Sequence, residues 1–374
     1  MKVPTDLPRR LTAAALLAGV LLVPAVACAE WPLVRGDANA TGAAAGPLPR
    51  ALDVLWTYDS AGSSFDATAS IVGGVAYVGD ADGTFHAVNL SDGKARWTRK
   101  FEESGFVAGS AVVQERIYCV DFNGVVRALD AANGEPLWDY KTESSLYAAP
   151  NVHDGRVLIA TDSGELVALN AASGEVVWKF AIDQPLRSWP TVVGGRVLVA
   201  GCDGLLHSVD AATGEDKESI DIGGPADGMP AVVGGHVYFC TAGGVFHAMS
   251  ISPLASVWKY GQKGQSEEIH AAAVTDRAVV LGTHDKRVVH LDAKTGDELW
   301  SFRLRARAES SPVIVGDLAI VGTMRGRLHA LELSTGAEIW QTDLGGQFLA
   351  SPAVSGGRVV IGNTDGVLYC IGGA

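Results

Sequence analysis

Short apolar runs, separated by glycine, aspartate and asparagine, fill almost the whole chain beyond residue 50. Residues 191–215, TVVGGRVLVAGCDGLLHSVDAATGE, show the unit, in which three apolar runs are split by turns that contain glycine. Runs of this length with β-branched residues and such breaks are typical of β-hairpins. They lack the 3.6-residue period that would indicate a helix. The pattern therefore predicts short antiparallel strands.

A fourth strand ends each unit and carries a tryptophan. The tryptophans keep one register at intervals of 40 to 42 residues, at Trp56, Trp97, Trp138, Trp178, Trp258, Trp300 and Trp340. Glu218 stands where the remaining member of the series is expected. Four antiparallel strands in about forty residues form one propeller blade. We predict that the indoles pack between neighbouring blades as structural core, and that Glu218 leaves one such space unfilled.

The two ends of the repeat are incomplete in complementary ways. Residues 52–58 supply a lone tryptophan strand, and the last unit supplies three strands and stops before its own tryptophan strand. Pairing of the two ends gives a closed ring without an unpaired edge between them. The predicted fold is therefore all-β, an eight-bladed β-propeller of four-stranded antiparallel blades over residues 51–374. The N-terminal strand closes it by pairing with the C-terminal blade.

The first thirty residues differ in kind from the repeat. Lys2, Arg9 and Arg10 precede an apolar run that ends in small residues at Ala27, Cys28 and Ala29. This arrangement is typical of a secretory signal peptide. We assign residues 1–29 to a signal peptide and residues 30–50 to an N-terminal extension. We expect an exported protein, located in the periplasm or outside the cell, with association with the outer membrane as a further option.

The same segment allows a second kind of processing. The stretch AVAC at residues 25–28 is a weak lipobox, and cleavage before Cys28 would leave an acylated cysteine as a lipid anchor. Both processing routes stay open. No later segment is long and apolar enough to cross a bilayer.

The charge and the cysteines exclude several classes of function. The formal net charge is −13, and residues 30–374 carry −15 because the first 29 residues hold three basic and one acidic side chain. An acidic chain does not suit nucleic acid as a partner. The four cysteines beyond residue 29 form no CxxC pair, which excludes the common zinc and redox motifs and leaves disulfides open.

The motif A-L-D/N-A-x-S/T-G-E-x-x-W resembles the repeat of the PQQ-like, or quinoprotein-type, β-propeller family, and it recurs over residues 51–374. Eight blades with few insertions after a signal peptide resemble most the outer-membrane protein assembly factor BamB, a non-enzymatic periplasmic scaffold. The resemblance implies an exported, non-catalytic propeller that binds protein partners of the cell envelope, with a role in outer-membrane protein assembly. It implies no cofactor, no metal ligand and no catalytic residue.

Two other functions stay open. Quinoprotein dehydrogenases of the same superfamily bind pyrroloquinoline quinone (PQQ) with Ca²⁺, and use a catalytic Asp, a stacking Trp and often two adjacent cysteines. This chain has no adjacent cysteines, and its interblade loops are too short to cover a cofactor. The second alternative is recognition of a small molecule or sugar by the same loops.

The loops between blades supply the candidate binding residues, because the repeat does not dictate their identity. Aligned on the following proline or small residue, the rim positions and their neighbours are Asp66, Tyr147, Arg187, Trp189, Asp227, Glu268, His270, Arg305, Arg307, Glu309 and Phe348. Arg187 with Trp189 is the strongest expected contact patch, since both types are frequent interface anchors.

Two groups of polar residues suggest metal or acid–base chemistry at first sight. The loop carboxylates come from blades spread around the ring, so the sequence alone does not bring any two together. Four histidines occupy the same place in the third strands, at His86, His207, His247 and His329. Equivalent positions of separate blades lie far apart, so these histidines are expected to pack or hydrogen-bond between blades.

Overall fold

The computed structural model describes Met1 and residues 30–226, 228–261 and 271–373. The predicted fold is confirmed, since these residues form eight four-stranded antiparallel blades in a ring and no helix. No described segment is therefore a helix long and apolar enough to cross a membrane. Blade 7 carries an additional two-residue parallel strand, Ala43–Ala44, at its inner edge.

Each blade contains an innermost, a second, a third and an outermost strand. In order of blades 1 to 8, the innermost strands are Ser70–Val72, Ala111–Val113, Asn151–His153, Thr191–Val193, Ala231–Val233, Ala273–Val274, Val313–Val315 and Ala353–Ser355. The second strands are Val75–Gly79, Arg116–Val120, Arg156–Ala160, Arg196–Ala200, His236–Thr241, Ala278–Gly282, Leu318–Gly322 and Arg358–Gly362.

The outer half of each blade follows the same order. The third strands are Thr84–Asn89, Val125–Asp130, Glu165–Asn170, Leu205–Asp210, Val245–Ile251, Arg287–Asp292, Arg327–Glu332 and Val367–Gly372. The outermost strands are Ala95–Lys100, Pro136–Lys141, Val176–Ala181, Asp216–Asp221, Leu254–Tyr260, Glu298–Arg303, Glu338–Asp343 and, for blade 8, Asp53–Asp59.

The last of these strands closes the ring. Asp53–Asp59 pairs antiparallel with Val367–Gly372, from Asp53 opposite Gly372 to Asp59 opposite Val367. The strand therefore comes from one end of the chain and its partner from the other, so the fold needs both ends to complete blade 8.

The core lies in the spaces between adjacent blades, because second and third strands are buried on both faces. One cluster, for example, joins Tyr77 and Phe85 of blade 1 to Phe106, Ile117 and Leu129 of blade 2. Outermost strands alternate between half-buried and exposed residues, the pattern of a sheet with one solvated side.

Six of the tryptophans hold adjacent blades together in one recurring contact. The indole N–H donates at 2.8–3.2 Å to a main-chain oxygen of the next blade, pairing Trp56 with Leu90, Trp97 with Ala131, Trp138 with Ala171, Trp178 with Ala211, Trp258 with Ala293 and Trp300 with Leu333. Trp340 packs at the edge of the cluster that joins blades 7, 8 and 1.

Each of these six indoles lies on a turn glycine of the next blade. The glycines have φ between +71° and +77°, and a Cβ at any of them would lie 2.6–2.7 Å from the ring; they are Gly93, Gly134, Gly174, Gly214, Gly296 and Gly336. Two independent constraints therefore require glycine at this turn. The backbone is in the left-handed region, and the indole leaves no room for a Cβ.

The space at Glu218 is not left empty, which corrects the expectation from the sequence. Glu218 Oε1 accepts a hydrogen bond from the Leu254 N–H of blade 5 at 2.9 Å, and its other oxygen lies 3.8 Å from Arg196. Because Leu254 replaces the turn glycine of blade 5, the blade that meets no indole also lacks the residue that an indole requires.

The N-terminal extension threads through the centre of the ring. Its carbonyl groups accept main-chain hydrogen bonds from innermost strands in blade order, with Trp31 meeting Ile71, Pro32 meeting Val112, Ala38 meeting Val192, Asn39 meeting Val232, Thr41 meeting Val274 and Gly42 meeting Ile314. Blade 3 joins through the Asn151 amide, which donates to Ala38 O at 3.0 Å. The inner edges would otherwise expose unpaired N–H groups, so the extension satisfies main-chain donors of six blades and a side-chain donor of blade 3, and it fills the axis.

Candidate functional site: the axial cup

The loops that lead from each outermost strand to the next innermost strand meet around the axis and enclose one cavity of about 370 Å³. We call it the axial cup. It is lined by Arg35, Asp66, Thr68, Val107, Gly109, Tyr147, Arg187, Trp189, Gly228, Met229, Thr241, Ala242, Ala271, Glu309, Ser311, Leu349 and Ser351. The N-terminal extension crosses the ring beneath these loops, so the cup is closed below.

Arg35 is the residue that the extension contributes to the cup. It is 1% exposed, and its guanidinium donates to Ala272 O at 2.9 Å, Pro312 O at 2.7 Å and Ser311 O at 3.5 Å. Burial lowers the pKa of Arg35 to about 10, so the side chain stays charged at neutral pH. The charge is thus used to bind main-chain oxygens of blades 6 and 7.

Three hydroxyl groups form a chain along one wall of the cup, on the side of blades 7, 8 and 1. The Ser351 N–H donates to Thr68 Oγ1 at 2.9 Å, the Ser311 N–H donates to Ser351 Oγ at 3.2 Å, and the Ala271 N–H donates to Ser311 Oγ at 3.2 Å. Each hydroxyl therefore ties its own blade to the preceding one.

Two carboxylates stand on the same side. Asp66 Oδ1 is buried and has no hydrogen-bond partner among the described residues, and burial raises the pKa of Asp66. Glu309 lies 3.4 Å from the His284 ring through its Oε2, and both side chains are largely buried. The wall from blade 7 to blade 1 is thus rich in oxygen atoms.

The opposite wall is aromatic and apolar. Trp189 is half-buried and packs between the cores of blades 3 and 4, and Met229 lies beside it. Tyr147 is 50% exposed at the rim. Arg187 stands between them and its Nε donates to Asp162 at 2.5 Å.

The cup brings together most of the rim residues that the sequence selected and that the structure describes. Asp66, Tyr147, Arg187, Trp189 and Glu309 all line it. Arg305 and Arg307 are exposed on the loop before blade 7 and do not line the cup. The predictions at Asp227, Glu268 and His270 lie outside the described residues.

Phe348 does not belong to this surface, and its selection as a contact residue was wrong. It is 0% exposed, and a Cβ at Gly322 of the adjacent blade would lie 2.9 Å from its own Cβ. Phe65, Phe106 and Leu146 are equally buried just before their own rim residues. This loop position points between blades, and only the next residue reaches the cup.

Sequence reasoning missed two features of the cup. Arg35 lies in a segment outside the repeat, so no periodic signal indicated that it enters the axis. The three hydroxyl residues stand two positions after the rim residue of their loops, the same register as Trp189. Comparison of that column among the eight loops would have found them.

The histidines of the third strands lie apart and contact their own surroundings. His86 bridges Asp80 and Tyr58 at 2.9 Å each, His207 lies between Asp203 and Asp216, and His329 meets Glu338 at 2.6 Å. His247 stacks on a phenylalanine ring with centroids 5.1 Å apart. Each serves packing or hydrogen bonding within its blade or across a blade boundary.

The thiols of Cys119 and Cys370 are buried and free. Burial raises the pKa of each to about 12, so neither is a reactive thiolate at neutral pH.

A Ca²⁺-bound quinone does not fit the described donors. Ca²⁺ takes six to eight oxygen ligands. Asp66 and Glu309 both line the cup, yet no three His, Cys, Asp or Glu side chains of the described chain come close enough to hold one metal ion.

A family model described as outer membrane protein assembly factor BamB matches residues 50–149, 123–312 and 284–372. BamB from Moraxella catarrhalis is similar in structure, with 21% identity, a TM-score of 0.74 and coverage of 86% of this chain and 98% of that one. No curated protein matches by sequence.

Two redox enzymes have a similar fold. Quinohemoprotein alcohol dehydrogenase from Comamonas testosteroni has 15% identity and a TM-score of 0.76, over 92% of this chain and 81% of that one. A europium-containing methanol dehydrogenase has 13% identity and a TM-score of 0.75, over 92% and 98%. At these identities the similarity establishes the fold alone.

Proposed function

The chain belongs to the family described as outer membrane protein assembly factor BamB, and from this we propose that it is a non-catalytic scaffold of the cell envelope. In this proposal the protein is exported, associates with the outer membrane and binds protein partners that take part in outer-membrane protein assembly. It works without a cofactor, and the loop face around the axial cup is its binding surface.

The observation that carries the proposal is the composition of the cup's rim. Tyr147 is 50% exposed, the Arg187 side chain is 50% exposed and Leu349 is 38% exposed. Aromatic and arginine side chains are the most frequent interface anchors. Here they project from short loops on a ring closed by both chain ends, so the surface is held rigid before a partner binds.

The exposed cations extend this surface. Arg305 and Arg307 lie on the loop before blade 7, while the chain as a whole carries −13. A partner with an acidic and apolar contact patch would therefore match this face better than the remaining surface.

The alternative of an enzyme related to the quinoprotein dehydrogenases shares the fold. At 13–15% identity this similarity does not carry the chemistry of those enzymes to this chain, whereas the family match is to the assembly factor.

The test is site-specific photo-crosslinking in intact cells of the source organism. A benzophenone side chain replaces Tyr147 or Leu349 at the rim, and in the control it replaces Leu299, which is 55% exposed on the outermost strand of blade 6. We expect discrete crosslinked envelope proteins from the rim positions alone. Equal products from Leu299 would refute the use of this face.

A second arm keeps the benzophenone at Leu349 and measures recovery of the crosslinked partner after the double change Tyr147→Ala and Arg187→Ala. Loss of two anchors is expected to lower the affinity by about tenfold or more. Leu299→Ala is the matched control, because it also removes an exposed apolar side chain. Undiminished recovery would contradict the proposal, and release of the protein with the periplasmic fraction tests export.

A further inference from the structure

The inside of the axial cup differs from its rim and presents two unlike walls to any small ligand. The wall from blades 7, 8 and 1 carries Asp66, Glu309 and three hydroxyl groups, and the wall from blades 3 to 5 carries Tyr147, Trp189 and Met229. The volume of about 370 Å³ lies within the range of small-molecule sites, about 300–1,000 Å³.

Asp66 supplies one carboxylate oxygen that has no donor in the described ranges, although the Ser64 side chain hydrogen-bonds to the carboxyl group. Its Oδ1 is buried and unpartnered among the described residues. Buried carboxylate oxygens in native proteins are nearly always hydrogen-bonded, so an unpartnered one that lines a cavity indicates a missing donor.

The three hydroxyl groups of the same wall supply hydrogen-bond donors. Thr68, Ser311 and Ser351 each accept a main-chain N–H, and a hydroxyl has one hydrogen of its own to donate. The structure gives these three hydrogens no acceptor within the described part of the chain. The wall therefore offers donors next to the acceptor of Asp66.

The combination of an unpartnered acceptor with nearby donors distinguishes between a cationic, an anionic and a neutral ligand. A cation such as a quaternary ammonium would satisfy Asp66 and stack on Trp189, but it has no acceptor for the hydroxyl groups. An anion would find one buried donor without a partner among the described residues, Arg35 Nε, but Asp66 and Glu309 also line the cup and would repel it. Arg187, the other cation, is paired with Asp162. A neutral polyol offers donors and acceptors on the same carbon skeleton.

The aromatic wall adds the remaining requirement. A sugar ring has an apolar C–H face, which packs on an indole, and hydroxyl groups at its edge. Trp189 and the Asp66 wall enclose the cup from opposite sides, so one ring can stack on the indole while its hydroxyl groups reach the oxygen atoms.

We infer that the axial cup binds a neutral saccharide of one or two rings, stacked on Trp189 and hydrogen-bonded to Asp66, Thr68, Ser311 and Ser351. This site lies inside the cup, whereas the protein-binding surface proposed above is its rim. Tyr147, Arg187 and Leu349 border both, but the saccharide contacts named here do not include them.

The test uses the full mature chain and saturation-transfer difference NMR with cellobiose, maltose and N,N′-diacetylchitobiose, followed by calorimetry for any binder. Tetramethylammonium and acetate are the probes for a cation and an anion. We expect at least one saccharide to bind with a dissociation constant of about 1 mM or below, with the largest transfer at the C–H protons of one ring face.

Two variants locate the site. Asp66→Asn replaces a carboxylate oxygen with a donor, and Trp189→Leu removes the stacking surface; each is expected to weaken binding by about tenfold or more. Asp82→Asn, on an exposed turn of the same blade, is the matched control and should leave affinity unchanged. Thermal unfolding of every variant verifies that the propeller is intact, and Thr68→Val replaces any that unfolds.

Three outcomes would overturn the inference. They are no saccharide binding, binding of tetramethylammonium or acetate in place of sugars, and saccharide binding that survives both Asp66→Asn and Trp189→Leu. Because crosslinking at Tyr147 and Leu349 does not involve these side chains, failure here leaves the proposed partner surface to its own test.

Discussion

Two neighbouring blade boundaries show how the ring is held together. Between blades 3 and 4, the Trp178 indole lies on Gly214 and donates to Ala211 O at 3.2 Å. Between blades 4 and 5, Glu218 takes the place of the indole and accepts from the Leu254 N–H at 2.9 Å. The direction of the hydrogen bond across the boundary is reversed.

Tryptophan and glycine therefore form one unit that spans two blades. An indole leaves no room for a Cβ on the facing turn, and a turn without an indole can carry a leucine, as Leu254 does. At this position the Trp boundary gains buried apolar area, while the Glu boundary gains a charge-assisted hydrogen bond beside the apolar cluster that joins blades 4 and 5.

The third-strand histidines of blades 4 and 5 also differ, in whether the ring has a carboxylate partner. His207 of blade 4 lies 2.9 Å from Asp203 and 3.1 Å from Asp216. His247 of blade 5 has no carboxylate partner among the described residues and stacks on Phe239 at an angle of 3° between the rings. Burial lowers the pKa of His247 to about 4, with the positive charge of Lys259 as a second cause.

The largest expected effect comes from loss of the indole. Trp178→Ala removes a side chain that is 8% exposed, and we expect the free energy of unfolding to fall by about 3–5 kcal/mol, as for other large-to-small changes in a core. Chemical denaturation monitored by circular dichroism measures it. A loss below about 1 kcal/mol would show that the boundary does not depend on the indole.

Two glycines with the same backbone conformation make it possible to test the contact between the Gly214 turn and the Trp178 indole. Gly214 and Gly195 have φ of +76° and +77°, but a Cβ at Gly214 meets the Trp178 ring at 2.6 Å and a Cβ at Gly195 meets nothing within 4 Å. Gly214→Ala should therefore cost more than Gly195→Ala, by about 1–3 kcal/mol. The excess should shrink in the Trp178→Ala background, since the two sites are coupled.

The next effect is a dependence of stability on pH in blade 5, where His247 lies. The unfolded chain binds a proton at His247 near the ordinary pKa of 6.5, whereas the folded protein does so only near 4. The unfolded state thus holds more protons between these values, and stability falls as the pH drops from 6.5 to 4, by at most about 3 kcal/mol.

His247→Phe keeps a ring on Phe239 and removes the titration. Unfolding measured at pH 7.5, 5.5 and 4.5 should show a shallower loss for this variant than for the unmodified protein. Part of the loss will remain, because burial also lowers the pKa of His290 and His329. Identical pH profiles for the two proteins would contradict this role of His247.

The smallest effect is expected at Glu218. Glu218→Ala leaves the Leu254 N–H without its acceptor in a half-buried position, at an expected cost of about 1 kcal/mol. Glu218→Gln retains an oxygen acceptor and should lose less. If Glu218→Ala is as stable as the unmodified protein, water replaces the carboxylate there and the boundary needs no side-chain link.

The sequence predicted the fold closely because each feature used is local. Turn glycines, apolar runs and the tryptophan register recur in every unit, and closure followed from the incomplete units at the two ends. The candidate site was predicted less well. The sequence selected Asp66, Trp189 and Glu309 only as separate interaction candidates, and the structure places all three in the lining of one cavity. It also selected Phe348, which is buried, because adjacent residues of the loop point alternately between the blades and into the cup.

By itself, the sequence determined the number of blades, the strand that closes the ring and the eight boundary positions, because these depend on short-range patterns repeated along the chain. The course of the N-terminal extension follows only from the tertiary structure, since its hydrogen-bond donors come from the main chain of six blades, as far along as Ile314, and from the Asn151 side chain of blade 3. The same holds for the two walls of the cup. Residues such as Arg35, Asp66 and Ser311 acquire a common environment only when the ring brings distant loops to one axis.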